Sequence, residues 1–339
     1  MRRLKIGEAI SWGKAWSWYW DCYCCGMNET VLILLGVLPV VLIVALGALL
    51  RVLGVFKPEM EKGLMQLVVH ILLPALTLVS VVGNEALRGW GKMGSALGFG
   101  YGSVVVGLAV AYLAACALKM ERGQGKRTFT VASGVQNSSY MAIPLLLELF
   151  PESGALGVLF TYNVGVDLAL WTIGVMVMSG DPRVSWRIFL KGPVIAVVLG
   201  LALNQMGGEV LLDGVPGVTL QMLGNCAIPV ALLVIGAGLV DLLHKARPDW
   251  KVATGSVAVR LLLVPACMIV AAYALPISGQ LAQVMVIQAA MPAAMFPIVL
   301  AKHYGGRPEV AVQVVAATTL ACFVTMPSVV MVGKRVLGL

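Results

Sequence analysis

Apolar residues run through this chain in blocks of the length a helix needs to cross a lipid hydrocarbon core, about 20 residues at 1.5 Å each. Such blocks lie near 31–50, 64–83, 95–118, 155–178, 189–206, 216–240, 253–274 and 310–332. Two more, near 131–150 and 281–301, have the length but are interrupted by prolines and polar side chains. The pattern predicts an all-α membrane protein with ten transmembrane helices.

Intramembrane prolines recur at a nearly constant offset. Pro39 and Pro193 are 154 residues apart, Pro74 and Pro229 are 155 apart, and Pro144 and Pro297 are 153 apart. The text around the middle pair agrees, with "LPALTLVSVVG" from Leu73 against "IPVALLVIGAG" from Ile228. A duplicated unit of five spans must enter the membrane from opposite faces in its two copies, because five is odd. The expectation is two inverted five-helix repeats, 31–178 and 189–339, joined by a cytoplasmic connector at 179–188, as in many secondary transporters.

Composition sharpens this picture, since 60% hydrophobic and 12% charged residues fall far outside the balance of a water-soluble domain. The net charge of +8 is spread over short loops without a basic stripe and interleaved aromatics, so nucleic acid is not an expected partner. Fifteen lysines and arginines fall in the loops on one side of the predicted membrane, eight on the other, and Arg260 lies inside a span. The positive-inside rule then places the loops at 119–130, 179–191 and 241–252 in the cytoplasm and both termini outside, in a bacterial inner membrane. Residues 1–30 carry Trp12, Trp16 and Trp20 at helical spacing with Lys14 off that stripe, which predicts an amphipathic helix in the interface. An extra span, or an extension upstream of Met27, are the alternatives. The cluster Cys22, Cys24 and Cys25 is too tight and too poor in histidine for zinc.

One polar stretch stands out. "VQNSSYMAIPLL", Val135 to Leu146, puts five polar side chains in a row inside the fourth span, and the ninth, "LAQVMVIQAAMPAAMFPIVLA", contains Pro292 and Pro297. An interior proline costs a helix ~3 kcal/mol, so both spans are expected to be broken. Irregular backbone survives at that depth only when buried in protein or facing a cavity. Half-helix N-termini there offer free N–H groups and a positive dipole end to an anion. The expected binding residues are Asn137, Ser138, Ser139, Tyr140, Pro144, Gln288, Pro292 and Pro297. The competing interpretation is that these polar groups merely tie neighbouring helices together.

The same residues carry a family resemblance. "NSSYMAIPLL" from Asn137, "QAAMPAAMFPIVLAKHYGGRPE" from Gln288, "VRLLLVP" from Val259 and "ATTLACFVTMP" from Ala317 resemble segments of the auxin efflux carrier family. The resemblance runs from about residue 31 to the end. It implies a ten-span carrier of two inverted repeats, similar in broad fold to sodium/proton antiporters and bile-acid symporters, whose crossing fourth and ninth spans hold a small organic anion. The chain departs from the plant exporters at Gln136, where they have proline, at Ala293 and Ala294, and in its short central connector. It is more similar to compact bacterial members, associated with malonate, malate and related carboxylates.

Four further intramembrane groups are candidates for ion coupling. Asn163 and Asp167 share one face of the fifth span, Arg260 lies in the eighth as a potential ion-pair partner of Asp167, and His70 precedes Pro74 by four residues. Glycines at four-residue spacing in "GSALGFGYG", Gly94 to Gly102, predict close helix packing. An enzyme is not expected, for the chain has three histidines, no His-Glu-x-x-His and no Gly-x-Ser-x-Gly. The expected function is a secondary transporter of a mono- or dicarboxylate working by alternating access, with an anion channel, then a membrane-embedded enzyme, as alternatives. No cofactor or metal is expected. The expected partners are the organic anion, a coupling proton or sodium ion and the lipid bilayer, with a homodimer left open.

Overall fold

A computed structural model describes residues 29–87, 89–121, 123, 125–151, 153–180, 192–245 and 249–339. The interfacial segment expected at 1–30 lies almost wholly outside the described residues, as do 181–191 of the connector. The regular elements of the described residues are helices. In order the helices are α1 (Glu29–Val52), α2 (Pro58–Leu67), α3 (Leu73–Val81), α4 (Trp90–Ala117), α5 (Lys126–Gly134), α6 (Ala142–Leu149), α7 (Ala155–Ala169) and α8 (Val175–Ser179). The second half holds α9 (Gly192–Gln205), α10 (Val215–Asn225), α11 (Ala227–Lys245), α12 (Trp250–Ala258), α13 (Val264–Ala274), α14 (Gly279–Ala290), α15 (Phe296–His303) and α16 (Pro308–Leu337).

Among the described residues six stretches are long and apolar enough to cross a membrane: 59–81, 90–117, 155–179, 215–241, 250–274 and 308–337. Shorter apolar helices cover 38–52 and 195–205. Large apolar side chains such as Leu113, Val270 and Val324 lie exposed on the outside, a surface that water would not tolerate and lipid does.

Two of the long stretches contain a π-helical turn directly before a proline. Val68–Leu72 precedes Pro74, and Val259–Leu263 precedes Pro265. The proline ring would strike the carbonyl four residues earlier and offers no N–H to it; one extra residue in the turn relieves both faults.

Helix ends meet in two groups. At one end of the molecule the Arg307 N–H donates to Thr128 Oγ1 at 2.9 Å and Arg127 Nη1 donates to the Ser179 carbonyl at 3.2 Å. At the other, Asn84 Nδ2 donates to the Gly154 carbonyl at 2.9 Å, Asn204 Nδ2 to the Asn84 carbonyl at 3.1 Å, and Lys334 sits over the Phe150 ring. The loop regions near 127, 179 and 307, grouped together by their positive charge, thus share one end.

Glycine sets the closest helix approaches, but not the glycines the spacing singles out. Gly94, Gly98 and Gly102 face open space, whereas a methyl group at Gly100 would overlap the Tyr162 carbonyl and one at Gly165 the Leu97 carbonyl. The α4–α7 contact runs through this second row, so the four-residue row is corrected: it forms an outer face. The α1–α11 contact uses the same device, with Gly47 against Leu233 and Gly236 against Val44.

One ion cluster closes α1, α2 and α11 together. Arg51 donates to both carboxylate oxygens of Asp241, with Nε to Oδ1 at 2.9 Å, to Glu61 Oε2 at 2.9 Å and to the Phe56 carbonyl at 2.8 Å. The side chain is 7% exposed and its partners about a third exposed, so the pairs are only partly screened. Arg51→Ala is expected to lower stability by about 1.5–3 kcal/mol, the worth of charge-assisted bonds. Arg51→Lys is expected to recover little, because an ammonium cannot reproduce the fork. Thermal midpoints of the purified variants in detergent check both.

Candidate functional site

The interrupted regions lie against each other in the middle of the fold. Helix α5 ends at Gly134 because Val135 turns extended, at φ −103° and ψ 125°. Helix α14 ends at Ala290 because Met291, the residue before Pro292, takes φ −76° and ψ 142°, the extended state that a following proline enforces. The two extended pieces pair as an antiparallel bridge between Gln136 and Ala293. The Asn137 N–H donates to the Pro292 carbonyl at 2.8 Å, and the Ala294 N–H to the Val135 carbonyl at 3.0 Å. Backbone groups freed by the helix ends are thereby satisfied without water. Thr318 of α16 supports the second piece by accepting from the Ala293 N–H at 3.2 Å.

Polar side chains knit around this crossing. Gln136 Nε2 donates to Ser103 Oγ at 3.1 Å and to Tyr162 Oη at 3.2 Å. Gln288 Nε2 donates to the Ser138 carbonyl at 2.8 Å and to Asn163 Oδ1 at 3.3 Å, and Asn163 Nδ2 donates to Ser139 Oγ at 3.1 Å. Gln288 therefore bridges both crossing segments and α7. Asn137 is 7% exposed, and among the described residues its side-chain amide has no hydrogen-bond partner. That is unusual for a buried amide.

Beside the crossing opens a small cleft. Ser139 and one face of α7, Phe160, Asn163, Val164 and Asp167, form one wall; Leu73, Thr77 and Val197 form the other. The Asp167 carboxylate is also within electrostatic reach of the Tyr140 phenol.

The expected residues divide accordingly. Ser139, Asn163 and Asp167 are cleft wall; Asn137, Ser138, Gln288 and Pro292 lie one layer deeper in the crossing; Pro144 and Pro297 occupy the first turns of α6 and α15. His70 is exposed on the outer face of its helix, with Nδ1 against the Gln66 carbonyl at 2.9 Å, and does not reach the cleft. Arg260 is fully buried and contacts the Gln288 carbonyl and Met268 Sδ rather than Asp167, so that ion pair is not made. The missed groups are Leu73, Thr77, Phe160, Val164 and Val197 in the cleft, and Ser103, Tyr162 and Thr318 behind it. Phe160 and Val164 were legible, since 160, 163, 164 and 167 follow the spacing of one helix face. The apolar wall from α3 and α9 carries no such signal.

Comparison with known proteins places the chain among membrane transporters. A family model described as membrane transport protein matches residues 32–185 and again 181–330. A protein of Methanothermobacter thermautotrophicus named uncharacterized transporter is 28% identical over 307 residues, covering 89% of this chain and 97% of that protein. One of the same name from Methanocaldococcus jannaschii is 23% identical over 292 residues, covering 79% and 88%. Auxin efflux carrier component 3 of Arabidopsis thaliana is 28% identical over 152 residues, covering 44% of this chain and 24% of that protein.

Proposed function

Because the chain belongs to the membrane transport protein family that includes the auxin efflux carriers, and is thus a multi-pass membrane transporter, we propose that it moves a small organic anion by alternating access. The anion, a mono- or dicarboxylate, is held where segments 135–141 and 291–295 cross. The carrying observation is that crossing itself, a bridge of two non-helical pieces beside a cleft whose walls come from different helices. In this reading α5–α6 and α14–α15 are the broken fourth and ninth of ten spans, and 31–178 and 189–339 are inverted repeats. The nearly constant proline offset supports the duplication.

Chemistry favours an anion. The N-termini of α6 and α15 follow the two crossing segments and turn positive dipole ends toward them, although Pro144 and Pro297 carry no N–H and the Ile143 and Ile298 N–H groups are already bonded; Asn137 adds an amide without a side-chain partner among the described residues. Amides bind a carboxylate without the desolvation cost of a buried cation, which suits a ligand that must also leave. Asp167 in the same cleft repels a second carboxylate when ionised, so anion binding favours its protonated form. Coupling to protons follows from that linkage. Uptake into proteoliposomes across a panel of mono- and dicarboxylates, with imposed proton or sodium gradients, tests the reading; saturable uptake of none of them counts against it.

The orientation belongs to the same proposal, with both termini outside. Single cysteines placed at 119–130, 179–191 and 241–252 of a cysteine-free background are expected to resist impermeant thiol reagents in intact cells. Labelling of two of the three loops reverses the orientation.

A further inference from the structure

Arg260 lies well inside the apolar stretch 250–274, away from both of its ends, and it has no exposed surface. It sits in the π turn Val259–Leu263. Its Nη2 donates to the Gln288 carbonyl at 3.5 Å and approaches Met268 Sδ at 3.8 Å, while Nε and Nη1 have no hydrogen-bond partner. An unpaired charge at this depth is unfavourable unless something nearby gains from it.

What gains is the end of a helix. Gln288 lies in the last turn of α14, where the dipole presents its negative end; its carbonyl accepts from the Met291 N–H at 3.3 Å and has a second lone pair turned to Arg260. The side-chain oxygens of Gln288 and Gln136 are buried there too, without hydrogen-bond partners. Gln136 connects to the same cluster through Tyr162, which feels the Arg260 charge. Unwound carbonyls and half-helix C-termini inside a membrane are the groups with which ion-coupled transporters hold sodium. In this chain a guanidinium already faces them.

We propose that Arg260 is the built-in cation of the crossing, a positioning residue that neutralises the carbonyl end of α14 as a bound sodium ion would, so that the crossing holds together without sodium. The inference rests on the carrier reading of the crossing, and it narrows the coupling ion to the proton. Its consequence is that the neighbouring Asn137 and Ser139 keep their places whether or not sodium is present.

The test needs no substrate, so its outcome is separate from that of the uptake panel. Ser139→Cys serves as a local reporter, its alkylation followed by mass spectrometry of the purified protein in detergent. With Arg260 in place, the labelling rate and thermal midpoint are expected to be equal in sodium chloride and choline chloride of matched ionic strength. Arg260→Ala is expected to speed labelling about tenfold or more, the equivalent of one lost charge-assisted bond. Millimolar guanidinium or sodium, but not choline, is expected to slow it again. Should the alanine variant not fold, Arg260→Lys is expected to keep the reporter protected and Arg260→Met, similar in length but uncharged, to expose it. Equal protection in Arg260→Met, or sodium-specific stabilisation of the protein with Arg260 intact, overturns the proposal. So does an Arg260 variant that loses affinity for a carboxylate in the uptake panel while the reporter thiol keeps its reactivity, which makes the guanidinium a substrate ligand instead.

Discussion

Asn137→Ala is expected to weaken anion binding by roughly 1–3 kcal/mol, about one to two decades in dissociation constant, with the fold intact. The two halves of that expectation have separate structural grounds. The fold is insulated because the Asn137 contact to the opposite segment runs through its backbone N–H, 2.8 Å from the Pro292 carbonyl, and alanine keeps that bond. Binding is exposed because the side-chain amide, 7% accessible, has no partner within the described protein. Isothermal titration of a carboxylate found by the uptake panel gives the comparison, and unchanged affinity removes Asn137 from the site.

Asp167→Asn is expected to preserve substrate exchange and abolish its acceleration by an imposed pH gradient. An ionised carboxylate within a membrane costs ~2.5–3.5 kcal/mol on insertion scales, so a position beside Ser139 and Asn163 in the cleft favours proton uptake whenever an anion arrives. The direction follows. Lower pH on the loading side speeds wild-type uptake because Asp167 binds its proton there; the asparagine variant, uncharged at every pH, runs at a rate set by the substrate gradient alone. Counting pH-driven uptake in proteoliposomes separates the cases, and a full response in the variant dismisses Asp167 as the coupler.

Much of the architecture can be read from the chain because a membrane simplifies the code. Helix blocks follow from length, and the end of α14 at Ala290 follows from Pro292. The grouping of the 127, 179 and 307 regions at one end follows from their charge, and hydrogen bonds such as Thr128 to Arg307 bear it out. What could not be read is which apolar residue faces what. Leu73 and Val197 line the cleft, while Val270 and Val324 face outward, yet all four are aliphatic residues of the same kind in the sequence. The same ambiguity hid Gly100 behind the more regular Gly94, Gly98 and Gly102 row. Pairing was equally hidden. Asp167 and Arg260 look like natural partners as opposite charges inside apolar blocks, but Arg260, in the π turn before Pro265, contacts the Gln288 carbonyl instead.

The central claim is that one small site at the crossing is exposed alternately to the two sides of the membrane. Counterflow measures this directly: proteoliposomes loaded with an unlabelled carboxylate from the uptake panel are diluted into a trace of the same compound carrying label. Alternating access predicts a transient accumulation of label above its equilibrium level, dependent on the internal load and lost in Asn137→Ala. Label that only relaxes to equilibrium, at a rate indifferent to the internal load, contradicts the carrier and describes an open anion pore.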